Sequence, residues 1–276
     1  MKFGFVVSKG SVDEVLDLTR EAEAAGWDGV FTWDAISIGE TDTYDPWTLL
    51  GAMATVTSRV TLGAMIFPLA RRRPWKVARE AMTVDHLSKG RLVIPVALGV
   101  TDDGGFSRVS TDSPDRKTRA QKLDETLEIL DLAWSGEKVS FEGEHYQMRD
   151  MVFRPTPVQR PRIPIWVVAS WPHERSLRRA VQWDGMLPSV SSAPFDPIPP
   201  ETLAEIRDWI HAHRNADGPF DIVLEGVTDG ADHEATRARL RPLAEAGATW
   251  WIESRWDEQE TVQSLRERIR QGPPRL

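Results

Sequence analysis

The chain has 276 residues, 41% of them hydrophobic, enough for one large domain or two small ones, and a formal net charge of −8. That acidic balance argues against nucleic acid or an anionic membrane as a partner, since both call for a basic surface. Cysteine is absent, which removes disulfides, thiolate metal sites and a cysteine nucleophile and is compatible with a reducing cytoplasm. The opening MKFGFVVSKG has too short an apolar run for a signal peptide, and no stretch approaches the roughly 18 apolar residues of a membrane span. Twelve Trp against two Tyr leaves two uses for the indoles, a large core or a pocket for a flat ligand.

Lys2 to Val7 reads as a strand. Ser11 and Glu14 have the spacing of a capping box, opening a helix whose apolar face is Val12, Val15, Leu16, Thr19 and Ala22 and which stops at Gly26. Gly29 to Trp33 is a second strand ending in Asp34, and Pro46 to Thr57 a second helix. Val60 to Phe67 is an apolar, β-rich run bounded by Pro68, and Leu92 to Leu98 is another. Between them Pro74 suits a first helical turn and Gly90 the position just past a helix end. Strand, crossover helix and strand form a right-handed βαβ unit and imply a parallel sheet. Further on come a helix over Thr118 to Trp134, a hairpin over Lys138 to Met148, and a strand over Ile163 to Ala169 with a helix from His173 to Gln182. A weak strand over Gly185 to Pro188 precedes a helix over Thr202 to His213, a strand over Phe220 to Val227 and a helix over His233 to Ala246. A strand over Thr249 to Glu253 and a helix over Glu258 to Ile269 close the series.

This makes eight strand–helix units, which close into a barrel of roughly 250 residues. The expected fold is therefore α/β, a single (β/α)8 TIM-barrel domain over residues 1–276 with a β-hairpin insertion. A doubly wound open sheet is the competitor, but Ser8-Lys9-Gly10-Ser11 lacks the G-x-G-x-x-G loop that such sheets carry after the first strand. In a barrel the chemistry sits at the C-terminal ends of the strands. That rule puts Ser8, Asp34, Pro68 to Arg73, Gly99 to Asp103, Ser170 to His173, Ser189 to Ser192, Glu225 and Glu253 at the reactive end. Asp85, His86, Ser88 and Arg91 fall at the opposite end, where Asp85 and Arg91 read as a structural ion pair or cap. Two long connections, Val100 to Lys117 and Val190 to Pro200, are candidate lids over one mouth. The three strand-end carboxylates Asp34, Glu225 and Glu253 are the candidate catalytic groups; alternatively they bond rim N–H groups or arginines. Two of the three would admit a glycoside hydrolase, which needs two carboxyl groups across the scissile bond. No two His are spaced as a metal pair, and neither a G-x-S-x-G elbow nor a P-loop is present, so an enzyme built on this chain draws its reactivity from a cofactor.

Several segments together resemble the bacterial luciferase-like family of flavin-dependent oxidoreductases. They are Leu62-Gly63 through Pro68, Arg72 to Pro74, Leu87-Ser88-Lys89-Gly90-Arg91, Gly99, Arg119, Asp124-Glu125, Trp134-Ser135-Gly136-Glu137, the SFEGEHY hairpin, RPTPVQRPRIPIWV and Trp183-Asp184-Gly185. Their order and spacing carry the resemblance. It implies reduced FMN or the deazaflavin coenzyme bound in the barrel mouth, acting on a small organic substrate as a monooxygenase. Hydride transfer in a deazaflavin-dependent dehydrogenase or reductase is the alternative, and a non-catalytic flavin-binding protein a further one. It also implies Ala64, Met65 and Ile66 behind the ring, with Met65–Ile66 at the family's non-prolyl cis peptide. Leu98 and Gly99 map to the end of the fourth strand, and Ala169, Ser170 and Trp171 to the phosphate-binding turn. A separate flavin reductase as partner and a homodimer are implied in the same way, with Trp75 placed either at the dimer contact or in the core. The chain departs from its relatives at Ala35, where many deazaflavin dehydrogenases have His after Asp, at Val100, where they have Glu, and near Leu98, where luciferase has Arg.

Overall fold

A computed structural model of the chain describes residues 1–101, 104–109, 115–190 and 197–276. In chain order the elements are β1 (Lys2–Val6), α1 (Val12–Ala24), β2 (Gly29–Thr32), α2 (Pro46–Thr55), β3 (Thr61–Ala64), β4 (Phe67–Pro68), α3 (Pro74–Ser88), β5 (Ile94–Ala97), α4 (Arg116–Trp134), β6 (Lys138–Glu142) and β7 (Gln147–Val152). They continue with β8 (Ile165–Trp171), α5 (Glu174–Ala180), β9 (Gly185–Val190), α6 (Pro200–His213), β10 (Asp221–Gly226), α7 (His233–Glu245), β11 (Trp250–Glu253) and α8 (Val262–Arg270). Two compact units divide them: Met1–Thr32, Arg59–Thr61 and Ile165–Leu276 form the first, Trp33–Ser58 and Leu62–Pro164 the second.

In the first unit the strands run in the order β2-β1-β11-β10-β9-β8, and the pairings described between neighbours are all parallel. Adjacent parallel strands need crossover connections, and α1, α5, α6 and α7 supply them. One face of this sheet alternates bare and bulky positions. A Cβ on Gly4 would lie 2.6 Å from Phe31, one on Gly29 2.8 Å from Phe31, and one on Gly185 2.5 Å from Trp166. The glycines thus make room for Phe31, Trp166 and Trp250, whose rings meet at centroid separations of 5.4 to 6.3 Å. Trp27, Trp134, Trp166 and Trp250 are fully buried, so core packing is where these four indoles go. The capping box at Ser11 and Glu14 forms as expected, and the buried face of α1 is Val15, Leu18, Thr19 and Ala22. That is an i, i+3, i+4, i+7 stripe; Val12 and Leu16 lie off it, Val12 in solvent.

In the second unit the run expected to be one strand over 60–67 is interrupted. β3 ends at Ala64, a cis peptide joins Met65 to Ile66, and β4 resumes at Phe67 to pair with β5. Phe67 stacks on Trp47 of α2 at 4.3 Å. Pro74 opens α3, and Lys89 and Gly90, both left-handed, close it. The expected hairpin is β6 and β7, antiparallel, with Glu125 of α4 receiving the turn amides of Glu144, His145 and Tyr146. Trp75 is half-buried, edge-on to Tyr146. Asp85 and Arg91 each brace the backbone with their own partners. The buried Asp85 carboxylate accepts from the amides of Val158 and Gln159, and Arg91 donates to Ala54 and Thr57. The last expected helix begins four residues late, at Val262, because Thr261 and Ser264 form its capping box. Among the described residues no helix is long and apolar enough to cross a membrane.

Candidate functional site

The second unit carries five of the eight expected cofactor residues. Ala64 and Met65 are buried, and Ile66 is half-exposed at the interruption between β3 and β4. Leu98 and Gly99 follow β5 and are half-exposed. Gly99 has φ of +79°, and a Cβ there would stand 2.6 Å from Pro68 and 2.8 Å from Phe106, so no other residue fits that backbone. Arg119 on α4 fixes the same segment. Its guanidinium lies 5.0 Å over the Phe106 ring and donates to the carbonyl oxygens of Leu98, at 3.2 Å, and Gly99.

Asp34 stands two residues beyond β2 with its side chain fully buried. Arg71 donates to its Oδ1 at 2.7 Å, and Arg72 makes a fork to both carboxylate oxygens at 2.9 to 3.1 Å. Bidentate guanidinium–carboxylate contact is the strong form of this bond, and Asp34 has no open lone-pair direction toward a ligand. Arg72 also lies 3.6 Å from Asp45, which caps α2 through the amide of Thr48.

The first unit carries the rest. Ala169 is buried, while Ser170 and Trp171 are half-exposed at the end of β8. The Ser170 amide donates to Ser176 Oγ, the His173 amide closes back on the Ser170 carbonyl, and Pro172 has no N–H. An anion at this turn therefore competes with Ser176. His173 precedes α5 and is exposed.

Glu253, the last residue of β11, is also fully buried and neutralised. Thr228 donates to it from both its amide, at 2.9 Å, and its hydroxyl, at 2.7 Å. Arg255 lies 3.1 Å away and the buried Arg268 of α8 3.6 Å away. Burial pulls the Arg268 guanidinium below its usual basicity, and the Glu253 carboxylate opposes that. Arg255 holds Glu260 as well, and Lys9, in the loop after β1, donates to the carbonyl oxygens of Asp257, Glu258 and Glu260 at 2.7 to 3.0 Å. This is the alternative expected for the strand-end carboxylates, a rim N–H and arginines, though no spacing names the particular partners. A visible signal was Arg268, set on the buried stripe of α8 between Leu265 and Ile269.

Glu225 differs. Its Oε2 accepts from Ser254 Oγ at 3.1 Å, its sole hydrogen-bond or ion-pair partner among the described residues. It is exposed at the end of its strand, and desolvation by the neighbouring chain raises its carboxyl above the usual glutamate range, against the lowering pull of Ser254. In register it faces Ile252, while Gly226 faces Glu253. Alternation along a strand therefore sends Glu225 and Glu253 to opposite faces of the sheet. Glu225 and Glu253 therefore do not face one another as the carboxyl pair of a glycoside hydrolase would.

The lid expectation over Val100 to Lys117 and Val190 to Pro200 falls partly outside the described residues, since 102–103, 110–114 and 191–196 are not among them. Asp102, Asp103, Ser191 and Ser192, expected at the reactive end, fall there too. Among the described residues no three His, Asp or Glu side chains gather as a metal site.

Comparison with known proteins extends this picture. The chain is 30% identical over 180 residues to an F420-dependent glucose-6-phosphate dehydrogenase of Microbacterium testaceum, covering 62% of this chain and 52% of that one. It is 32% identical over 198 residues to an uncharacterised protein of Mycobacterium tuberculosis, covering 72% and 67%. The match to the glucose-6-phosphate dehydrogenases thus spans about half of their length. Among solved structures, an F420-dependent secondary alcohol dehydrogenase in complex with an F420-acetone adduct matches with a TM-score of 0.77 and 16% identity over 98% of both chains. A monooxygenase from Streptomyces bottropensis matches with a TM-score of 0.73 and 20% identity, over 98% of this chain and 97% of that one. The fold class is the expected α/β TIM barrel. A family model described as luciferase-like monooxygenase matches residues 1–272, and the chain belongs to that family.

Proposed function

We propose that the chain is a deazaflavin- or FMN-dependent oxidoreductase, and that deazaflavin-linked hydride transfer to or from a small organic substrate is its reaction. The observation that carries this reading is the family match over residues 1–272, whose similar sequences include several F420-dependent dehydrogenases. The residues present fit a planar, largely apolar ring. Ile66 and Leu98 offer half-exposed apolar side chains, and Gly99 offers backbone without a Cβ. When bound, the ring supplies two-electron redox chemistry that no side chain here provides.

The protein's part is to hold and orient. Ala64 and Met65, buried, support Ile66 from behind; Arg119, gripping two carbonyl oxygens, keeps the end of β5 in one place for the ring edge. Asp34 and Glu253, tied into ion pairs, act as positioning residues that fix their strand ends. Oxygenation by reduced FMN delivered from a separate reductase is the second reading, favoured by the monooxygenase description of the matching family model. A homodimer using α3 near Trp75 and a cytoplasmic location accompany both readings.

Titration of the purified protein with oxidised and reduced deazaflavin and FMN, followed by fluorescence and absorbance, tests the proposal. Saturable binding of reduced or oxidised deazaflavin is expected. Binding of FMN alone moves the assignment to oxygenation, and binding of neither cofactor in either redox state overturns it.

A further inference from the structure

The first unit holds a second cavity, none of whose lining residues belongs to the candidate site. It has a volume of about 460 Å³ and is walled by α6, the loop that follows it, the start of β10 and the turn before β11. Every lining residue lies in that unit. The volume falls within the roughly 300–1,000 Å³ of small-ligand pockets. Its floor is apolar: Ile210 and Ile222 are buried, and Phe220 is half-buried just before β10. The loop after α6 contributes little bulk. Ala216 and Gly218 are exposed there, and a Cβ on Gly218 would meet nothing within 4 Å. At the turn before β11, Gly247 has φ of +118°, and a Cβ on it would stand 2.9 Å from Cδ of Arg207. The bare backbone at Gly247 is therefore what lets the Arg207 stem lie in the wall.

The charged lining has one sign. Arg207, His211 and Arg214 line the cavity, and no Asp or Glu does. Nearby carboxylates have partners of their own. Asp208 takes the Arg207 guanidinium at 2.7 Å in a solvent-exposed pair, and Asp221 accepts from the Thr249 hydroxyl at 2.8 Å. Asp217 is exposed on the loop. His211 is exposed and has no hydrogen-bond or ion-pair partner among the described residues. Arg214 lies 5.1 Å over the Phe220 ring and donates to the Ala216 carbonyl. Its contacts to the Gly218 and Pro219 carbonyls are long, 3.3 and 3.5 Å, and its Nε is buried with no partner among the described residues. A buried donor left unpaired costs free energy, and a carboxylate is the group whose two oxygens match a guanidinium fork.

We propose that this cavity is a binding site for a small monocarboxylic acid. The hydrocarbon body lies on Ile210, Phe220 and Ile222, and the carboxylate is held by Arg214 and His211. A polyhydroxylated acid suits the cavity less, because the Thr249 hydroxyl is committed: it donates to Asp221 and accepts from the Ile222 amide. The site lies where β10 and β11 begin, the end of a barrel strand that serves stability rather than chemistry. Its occupant is bound and not converted, and occupancy stabilises the folded chain by mass action. The inference stands apart from the redox reading above.

Binding of hexanoate and benzoate to the full chain tests it, read by calorimetry and by the methyl NMR signals of Ile210 and Ile222. Hexanamide is the uncharged control. Saturable binding of at least one acid is expected, with both methyl signals shifting and hexanamide at least about tenfold weaker. Arg214→Gln should weaken the acid about tenfold. Arg214 also braces its loop, so Ala216→Trp serves as a second variant. It fills the cavity, keeps all three basic side chains, and should abolish binding while the circular dichroism spectrum stays that of wild type. No saturable binding of either acid overturns the proposal. So do equal affinity for hexanamide, methyl signals that stay in place at saturation, or undiminished binding in A216W.

Discussion

At the end of β2 the carboxylate of Asp34 meets two guanidinium groups; at the end of β10 the carboxyl of Glu225 meets a single hydroxyl. The two groups have the same chemistry and comparable places at a strand terminus. What separates them is the company each keeps. A carboxylate locked between arginines has its charge and its lone pairs committed, so it organises structure. A partly desolvated carboxyl held by one Ser stays able to change its protonation state, and it does so above the range of a solvated glutamate. Sequence position marks both as candidates for chemistry, and the arrangement of cations sorts them.

The contrast can be broken most severely at Asp34. Asp34→Ala removes the buried carboxylate that Arg71 and Arg72 share, leaving Arg72 its longer contact to Asp45, and unfolding in urea should register a loss of about 3–5 kcal/mol. Replacing both arginines by Met in the same background should return much of it, because uncompensated buried charge is then no longer present. Glu253→Gln extends the comparison to a third strand end. It removes the charge opposite Arg255 and Arg268 while keeping an acceptor for Thr228, and a loss on the order of 2 kcal/mol is expected in the same assay.

Glu225→Gln should barely register at neutral pH, within about 0.5 kcal/mol of wild type. Its signature is in pH dependence. The folded carboxyl holds its proton to higher pH than the unfolded one, so the native state binds more protons over the interval from the ordinary glutamate value up to the raised one. By linkage, wild-type stability falls as pH rises through that interval, and the Gln variant should lose this contribution to the slope. The smallest effect belongs to Ser254→Ala. Loss of the hydrogen bond that favours the charged form should move the Glu225 titration further up, read by carboxyl 13C NMR; a downward move would contradict the described geometry.

What could be read from the sequence was whatever is decided locally. The capping box at Ser11 and Glu14, the Pro74 start and Gly90 stop of α3, and the hairpin turn at Gly143 depend on residues a few positions apart. The eight-fold alternation of apolar strands and amphipathic helices was legible for the same reason. Pairings across long stretches were not. Asp34 finds its arginines 37 and 38 residues away, and Glu253 is answered by Thr228, 25 residues back. No spacing rule announces such contacts. Hydrophobic periodicity reads strand three as continuous because it records only which side chains are buried; the cis peptide at Met65–Ile66 is legible through the family resemblance instead. Sequence position marks Asp34, Glu225 and Glu253 alike, and only their partners in the fold tell them apart.

One pairing reaches into how the molecule is made. β1 is hydrogen-bonded on one side to β2 and on the other to β11, some 250 residues further along. A ribosome must therefore add some 250 residues after β1 before that second edge is covered. Until then a nascent strand of Phe, Gly and Val presents open amide and carbonyl groups to any passing partner, a state in which chaperones and aggregation compete. Slow, late closure of high contact order is the kinetic signature such a topology carries.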